Sequence, residues 1–166
     1  MGKLVEIVRV FAFPIVDIGN TNISEILPNK KVKIDSGFQA FLDSDSEPVL
    51  STASSEVMGG LVFRTNKSNN RDHTIMMEFG RENLTPSVVV VRSFLNYLGS
   101  EKGFSILDIP KKKYEVNLIL GYNFLSGHPK VLFIERELDM EEIHLHARDL
   151  NHWVVRTPMV ALFKNV

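Results

Sequence analysis

Short apolar runs separated by polar, glycine- or proline-bearing links dominate this chain, and the period within each run assigns its element. "KLVEIVRVFAF" (3–13) is rich in β-branched and aromatic residues and ends at Pro14, which predicts a first strand. Residues 17–30, "DIGNTNISEILPNK", carry turn formers with little periodicity and read as a mobile loop. Val32, Ile34, Phe38, Ala40 and Leu42 share one parity, with Lys31, Lys33, Asp35 and Gln39 on the other, the pattern of a half-buried strand bent at Gly37. The acidic, serine-rich "DSDSEPVLSTASSE" (43–56) reads as a second mobile loop, spanning 43–58 with its flanks. Gly59 and Gly60 open "LVFRT" (61–65), and "HTIMMEF" (73–79) follows the polar link "NKSNNRD" (66–72). That predicts a hairpin over 59–79 with a projecting tip.

Helical punctuation appears twice. In "LTPSVVVVRSFLNYLG" (84–99), Thr85 can cap, Pro86 suits a first helical position and Gly99 a stop. Val88, Val91, Leu95 and Leu98 then share one side, with Phe94 at its border, predicting a helix over about 86–98. In "DMEEIHLHARDLNHW" (139–153), Asp139 and Glu142 form a capping box and Leu138 and Ile143 a hydrophobic staple. Ile143, Ala147, Leu150 and Val154 fall within about 60° of one another on a helical wheel. The prediction is a helix over about 140–150. Between and after the helices, "FSILDI" (104–109), "YEVNLILGY" (114–122) and "VLFIERE" (131–137) predict an antiparallel meander, and "WVVRT" and "MVALF" one or two closing strands. The fold class is therefore α+β: one domain over 1–166, mainly antiparallel sheet, sandwich or barrel, with about two helices.

Composition narrows the function classes. The chain has 166 residues, 44% hydrophobic and 23% charged, which suits a globular protein with a real core. A net charge of −1 provides no global attraction for nucleic acid or anionic membrane. The absence of cysteine excludes disulfides, zinc–thiolate sites, iron–sulfur clusters and cysteine nucleophiles. No apolar stretch reaches the roughly 18–20 residues of a bilayer span. The apolar run Val10–Val16 follows Glu6 and Arg9 and contains Pro14, so it makes a poor signal peptide. Glu6 also stands where a myristoylation signal needs Ser or Thr. The expectation is a cytoplasmic protein, or a virion component, without membrane contact.

The histidine cluster is the one place where chemistry surfaces. On a strand, His144 and His146 would share a face about 7 Å apart, a spacing that suits two ligands of one metal. On a helix they diverge by about 200° and cannot share an ion. The capping signals favour the helix, and "HLHARDLNH" is out of register with the H-x-H motif of zinc hydrolases. Phosphate-loop, dinucleotide and nucleophile-elbow motifs are absent, and no lysine has an acid two residues before it, as restriction-type nucleases commonly do. Asp43, Asp45 and Glu47 lack the glycine and closing glutamate of an EF-hand. Asp72, His73, Glu78, Glu135 and Glu137 read as edge or solvent-facing charge, and Trp153 and Phe163 as core. No catalytic, cofactor or metal residue is assigned.

Arg64, Lys67 and Arg71 on the hairpin, with Lys111, Lys112 and Lys113 at a turn, are the candidate interaction residues. Lys30, Lys31 and Lys33 form a further basic cluster. The function these features imply is a non-enzymatic assembly or interaction protein. It would be a homo-oligomer or bind other protein subunits, on a plan shared with small β-rich virion subunits at the level of architecture alone. One alternative is a metal-dependent hydrolase or nuclease using His144 and His146 with Asp149 or His152. The other is a module contacting nucleic-acid backbone through the lysine clusters.

Overall fold

A computed structural model of the chain describes residues 5–16, 23–27, 31–44, 57–65, 72–108, 117–123, 130–137, 142–149 and 158–164. Seven strands, β1 (Val5–Pro14), β2 (Lys31–Ile34), β3 (Val57–Thr65), β4 (Asn117–Asn123), β5 (Lys130–Glu137), β6 (Glu142–Asp149) and β7 (Met159–Lys164), form one sheet in the order β1-β3-β7-β4-β5-β6-β2. Four neighbouring pairs are antiparallel; β2–β6 and β4–β7 are parallel. The fold is α+β, and among the described residues the sheet has two edges rather than closing into a barrel or splitting into a sandwich.

The alternation of side chains along each strand builds two cores, one on each sheet face. Phe11, Phe13, Val62, Leu118, Leu120, Leu132, Ile134, Ile143, Leu145 and Val160 point to one face. There they bury against α1 (Ile23–Ile26), α2 (Ser36–Asp43) and α4 (Val88–Leu98). Phe63, Ile119, Val131, Phe133, Met159 and Ala161 point to the other. That face receives Ile75 and Phe79 of α3 (Asp72–Phe79) and Leu84 after a 3₁₀ turn, and among the described residues it is the less covered of the two.

α4 forms where the caps and stripe place it: Val88, Val91, Phe94, Leu95 and Leu98 are all buried. The cap, however, is Ser87, whose hydroxyl accepts from Val90 N at 3.4 Å, while Thr85 donates to the Arg81 carbonyl. Gly99 ends the helix in right-handed backbone. Its requirement for glycine is spatial, because a Cβ there would meet the Ile26 carbonyl oxygen.

Several expectations are corrected. The predicted helix over 140–150 is strand β6 throughout its described part, with Ile143 and Leu145 on the larger core. It lies between two strands, and the ladders to β5 and β2 satisfy backbone that a helix would have satisfied internally. The alternation of "EIHLHAR" was the decisive pattern, and the capping residues Leu138 and Asp139 lie outside the described residues. The predicted strand 73–79 is α3; Ile75 and Phe79 are four apart and pack on the same cluster, leaving no strand hairpin over 59–79. The predicted bent strand from Lys31 breaks after Ile34 into α2. Parity misses Phe41, and Phe38, Phe41 and Leu42 are a buried helical triplet behind the cap Asp35. Within 104–109, the described residues belong to α5 (Glu101–Phe104) and a 3₁₀ turn, nucleated by the Ser100 cap, so β6 rather than this segment completes the meander β4-β5-β6. α1 interrupts the predicted loop 17–30, and helices are more numerous than two. The loop 45–56, the hairpin tip 66–71 and the strand 153–157 lie outside the described residues.

Candidate functional site

β6 carries Glu142, His144, His146 and Arg148 on the smaller-core face, beyond the end of its apolar cluster. Across β5, Glu135 lies opposite His144 and Phe133 opposite His146; across β2, Lys33 is registered with His144. The two histidines thus share a face, contrary to the divergence a helix would impose.

Each imidazole has a carboxylate beside it. His146 Nε2 is 3.0 Å from Glu135 Oε2, and Arg148 Nε donates to His146 Nδ1 at 3.2 Å. A guanidinium can only donate, so Nδ1 is the acceptor and Nε2 carries the proton given to Glu135. Both ring nitrogens are therefore engaged, which leaves no lone pair for a metal or a substrate proton. Phe133 stacks on the imidazole at 5.3 Å and 14°, and the Arg148 guanidinium lies 5.4 Å from the Phe133 ring centre. Burial, and after it the positive charge of Arg148, push His146 below its ordinary value, against the opposing pull of Glu135 and Asp35.

Glu142 is buried between Lys33 Nζ at 3.0 Å and His144 Nε2 at 3.2 Å. The second contact is close enough for electrostatic attraction but out of line for a hydrogen bond, so His144 Nε2 is buried without a directed partner. The neighbouring imidazole first, and Lys33 second, hold the Glu142 carboxyl below the usual range although burial raises it. Asp149 has the opposite parity and pairs with Lys130 at 3.3 Å, so it does not join the histidines; His152 lies outside the described residues. Among the described residues no three acids and histidines are grouped to hold a metal ion.

The other acids stay apart. Asp43 accepts from Gln39 at the end of α2, while Asp45 and Glu47 lie outside the described residues. Asp72 and His73 open α3, Glu78 is exposed on it, and Glu137 is registered with Glu142. Phe163 is half-buried against the smaller cluster, and Trp153 is outside the described residues. Of the candidate interaction residues, Arg64 sits half-buried on β3 opposite Glu6; Lys67, Arg71, Lys111, Lys112 and Lys113 lie outside the described residues.

The sheet edges differ sharply. β2 is four residues long, with Lys31 and Lys33 exposed along it, the usual protection of an edge against pairing. β1 is ten residues long and pairs only with β3 among the described residues. It exposes Ile7 at 56%, Val8 at 36% and Val10 at 66%. Ile7 and Val10 stand opposite Phe63 and Leu61, on the less covered face. "KLVEIVRVFAF" forms a strand as its β-branched pattern predicts, whereas its edge position depends on which strands pair. No described helix is long and apolar enough to cross a membrane. No protein-family model, curated protein or solved structure matches this chain.

Proposed function

We propose that this chain is a non-enzymatic assembly subunit that forms homo-oligomers through the outer edge of β1. One observation carries the reading: a ten-residue edge strand presents three branched aliphatic side chains to solvent, while the opposite edge is short and lysine-guarded. An edge that is unpaired among the described residues offers a row of backbone donors and acceptors, and exposed apolar side chains beside it add a hydrophobic contribution on pairing. The histidine strip supports the same reading by its chemistry. Its hydrogen bonds and stacking run between β5 and β6, so it strengthens the sheet that presents β1.

Light scattering on the chain eluting from a sizing column, at protein concentrations of about 10 and 100 µM, tests it. The expected mass exceeds one chain at the higher concentration, and Ile7→Lys or Val10→Lys lowers it without changing the circular dichroism, since neither side chain is buried. A wild-type chain that elutes as a monomer at both concentrations refutes the reading.

A further inference from the structure

We infer that the occupant of the β1 edge is a second copy of β1, running antiparallel across a twofold axis, with Glu6 of each copy facing Arg9 of the other. The inference rests on the assembly reading above and adds its partner and register. β1 holds two charged residues, Glu6 and Arg9, three positions apart. In an unbroken strand that spacing would put them on opposite faces. The register against β3 shifts between Ile7 and Arg9, so that Glu6 lies opposite Arg64 and Arg9 opposite Val62, two residues apart on one strand. The bulge therefore brings both charges to the same face, and Ile7 and Val10 to the other.

Antiparallel pairing about an axis perpendicular to the sheet keeps each face on its own side and gives a self-complementary interface. With the axis between Ile7 and Val8, Glu6 meets Arg9 of the second copy, and the reciprocal pair forms by symmetry. The same two residues separate the charges in both copies, so the bulge is matched across the axis and does not spoil the register. No ion pair among the described residues joins Glu6 or Arg9, and Glu6 lies opposite Arg64 across β3 on the same face. Ile7 and Val8 approach at the axis, where their exposed surface is removed from water. The product is one continuous sheet twice as wide, with a lysine-guarded β2 at each end and no exposed apolar edge remaining.

Charge exchange reads the register directly. Glu6→Arg alone, or Arg9→Glu alone, sets like charges opposite each other twice per interface and weakens self-association by about tenfold in sedimentation equilibrium. The double variant Glu6→Arg/Arg9→Glu restores the wild-type dissociation constant, and an equimolar mixture of the two single variants forms a heterodimer. Glu6 is exposed and Arg9 half-buried, and unchanged circular dichroism confirms that each variant folds. If Ile7→Lys dissociates the assembly but the exchange neither weakens nor restores it, the register is overturned while the assembly reading stands. If wild type does not self-associate, both are overturned.

Discussion

His146 shows how one side chain's surroundings set its protonation and, through it, the acid response of the fold. Free in the unfolded chain, the imidazole takes a proton near 6.5; folded, burial and Arg148 hold it below that value. Between the two values the unfolded state binds more protons, so stability should fall as pH drops through about 6.5 and level off below the folded value. Glu142 acts lower on the scale. Its depressed carboxyl contributes stability above 4.5 that disappears as pH falls through its folded value. Urea unfolding between pH 7.5 and 4 should show a decline beginning near 6.5, and His146→Gln should flatten its upper part; an unaltered slope would remove the assignment. Gly121 is a backbone counterpart. It has φ +150° at a bulge in β4, and a Cβ there would lie 2.6 Å from Pro86 Cδ and 2.8 Å from the Leu84 carbonyl that receives Tyr122 N–H. Gly121→Ala should cost about 1–3 kcal/mol, measurable by urea denaturation.

Individual elements were legible where two local signals agreed. β1, β3, β4, β5 and β7 follow β-branched runs bounded by turn formers, and α4 follows a buried stripe with caps at both ends. Where two periods competed, the outcome depended on what the segment met in space. "EIHLHAR" fits a strand by alternation and a helix by its upstream caps, and the strand formed because β5 and β2 flank it. "HTIMMEF" alternates weakly yet folds as a helix that sets Ile75 and Phe79 on the less covered face. Tertiary anchors then hold the elements in place. Ser93, buried on α4, accepts from Val16 N at 3.0 Å and donates to Val16 O at 3.1 Å, tying the end of β1 to the helix across 77 residues. Ser93→Ala leaves both backbone groups without that partner and should lower stability by about 1–3 kcal/mol. A loss under about 0.5 kcal/mol in chemical denaturation would mean that water replaces the hydroxyl.

The whole molecule is an asymmetric sheet. Among the described residues, one face is well covered by helices and the other only partly, one edge is guarded and the other is apolar. Association through the apolar edge couples to folding by mass action, so the melting temperature should rise between about 5 and 100 µM protein. In Val10→Lys that rise should vanish, as calorimetry at the two concentrations would show; a melting temperature independent of concentration in wild type would count against a folded-state assembly. The histidine pair was singled out from the sequence, but its partners were not. Glu135 is eleven residues from His146 and Lys33 more than a hundred from Glu142, and only the β2–β6 and β5–β6 registers bring them together.

Local chemistry alone decides which stretches are apolar enough to be buried, that most of them extend as strands, and that cysteine chemistry is absent, because these depend on residue type and on periods of a few positions. Strand order, the helix-or-strand outcome at 142–149, the carboxylate beside each histidine and the exposure of β1 depend on contacts between segments distant in the chain. Backbone hydrogen bonds between strands form only when the partner arrives, so pairing in three dimensions chose among conformations that the local pattern left nearly equal.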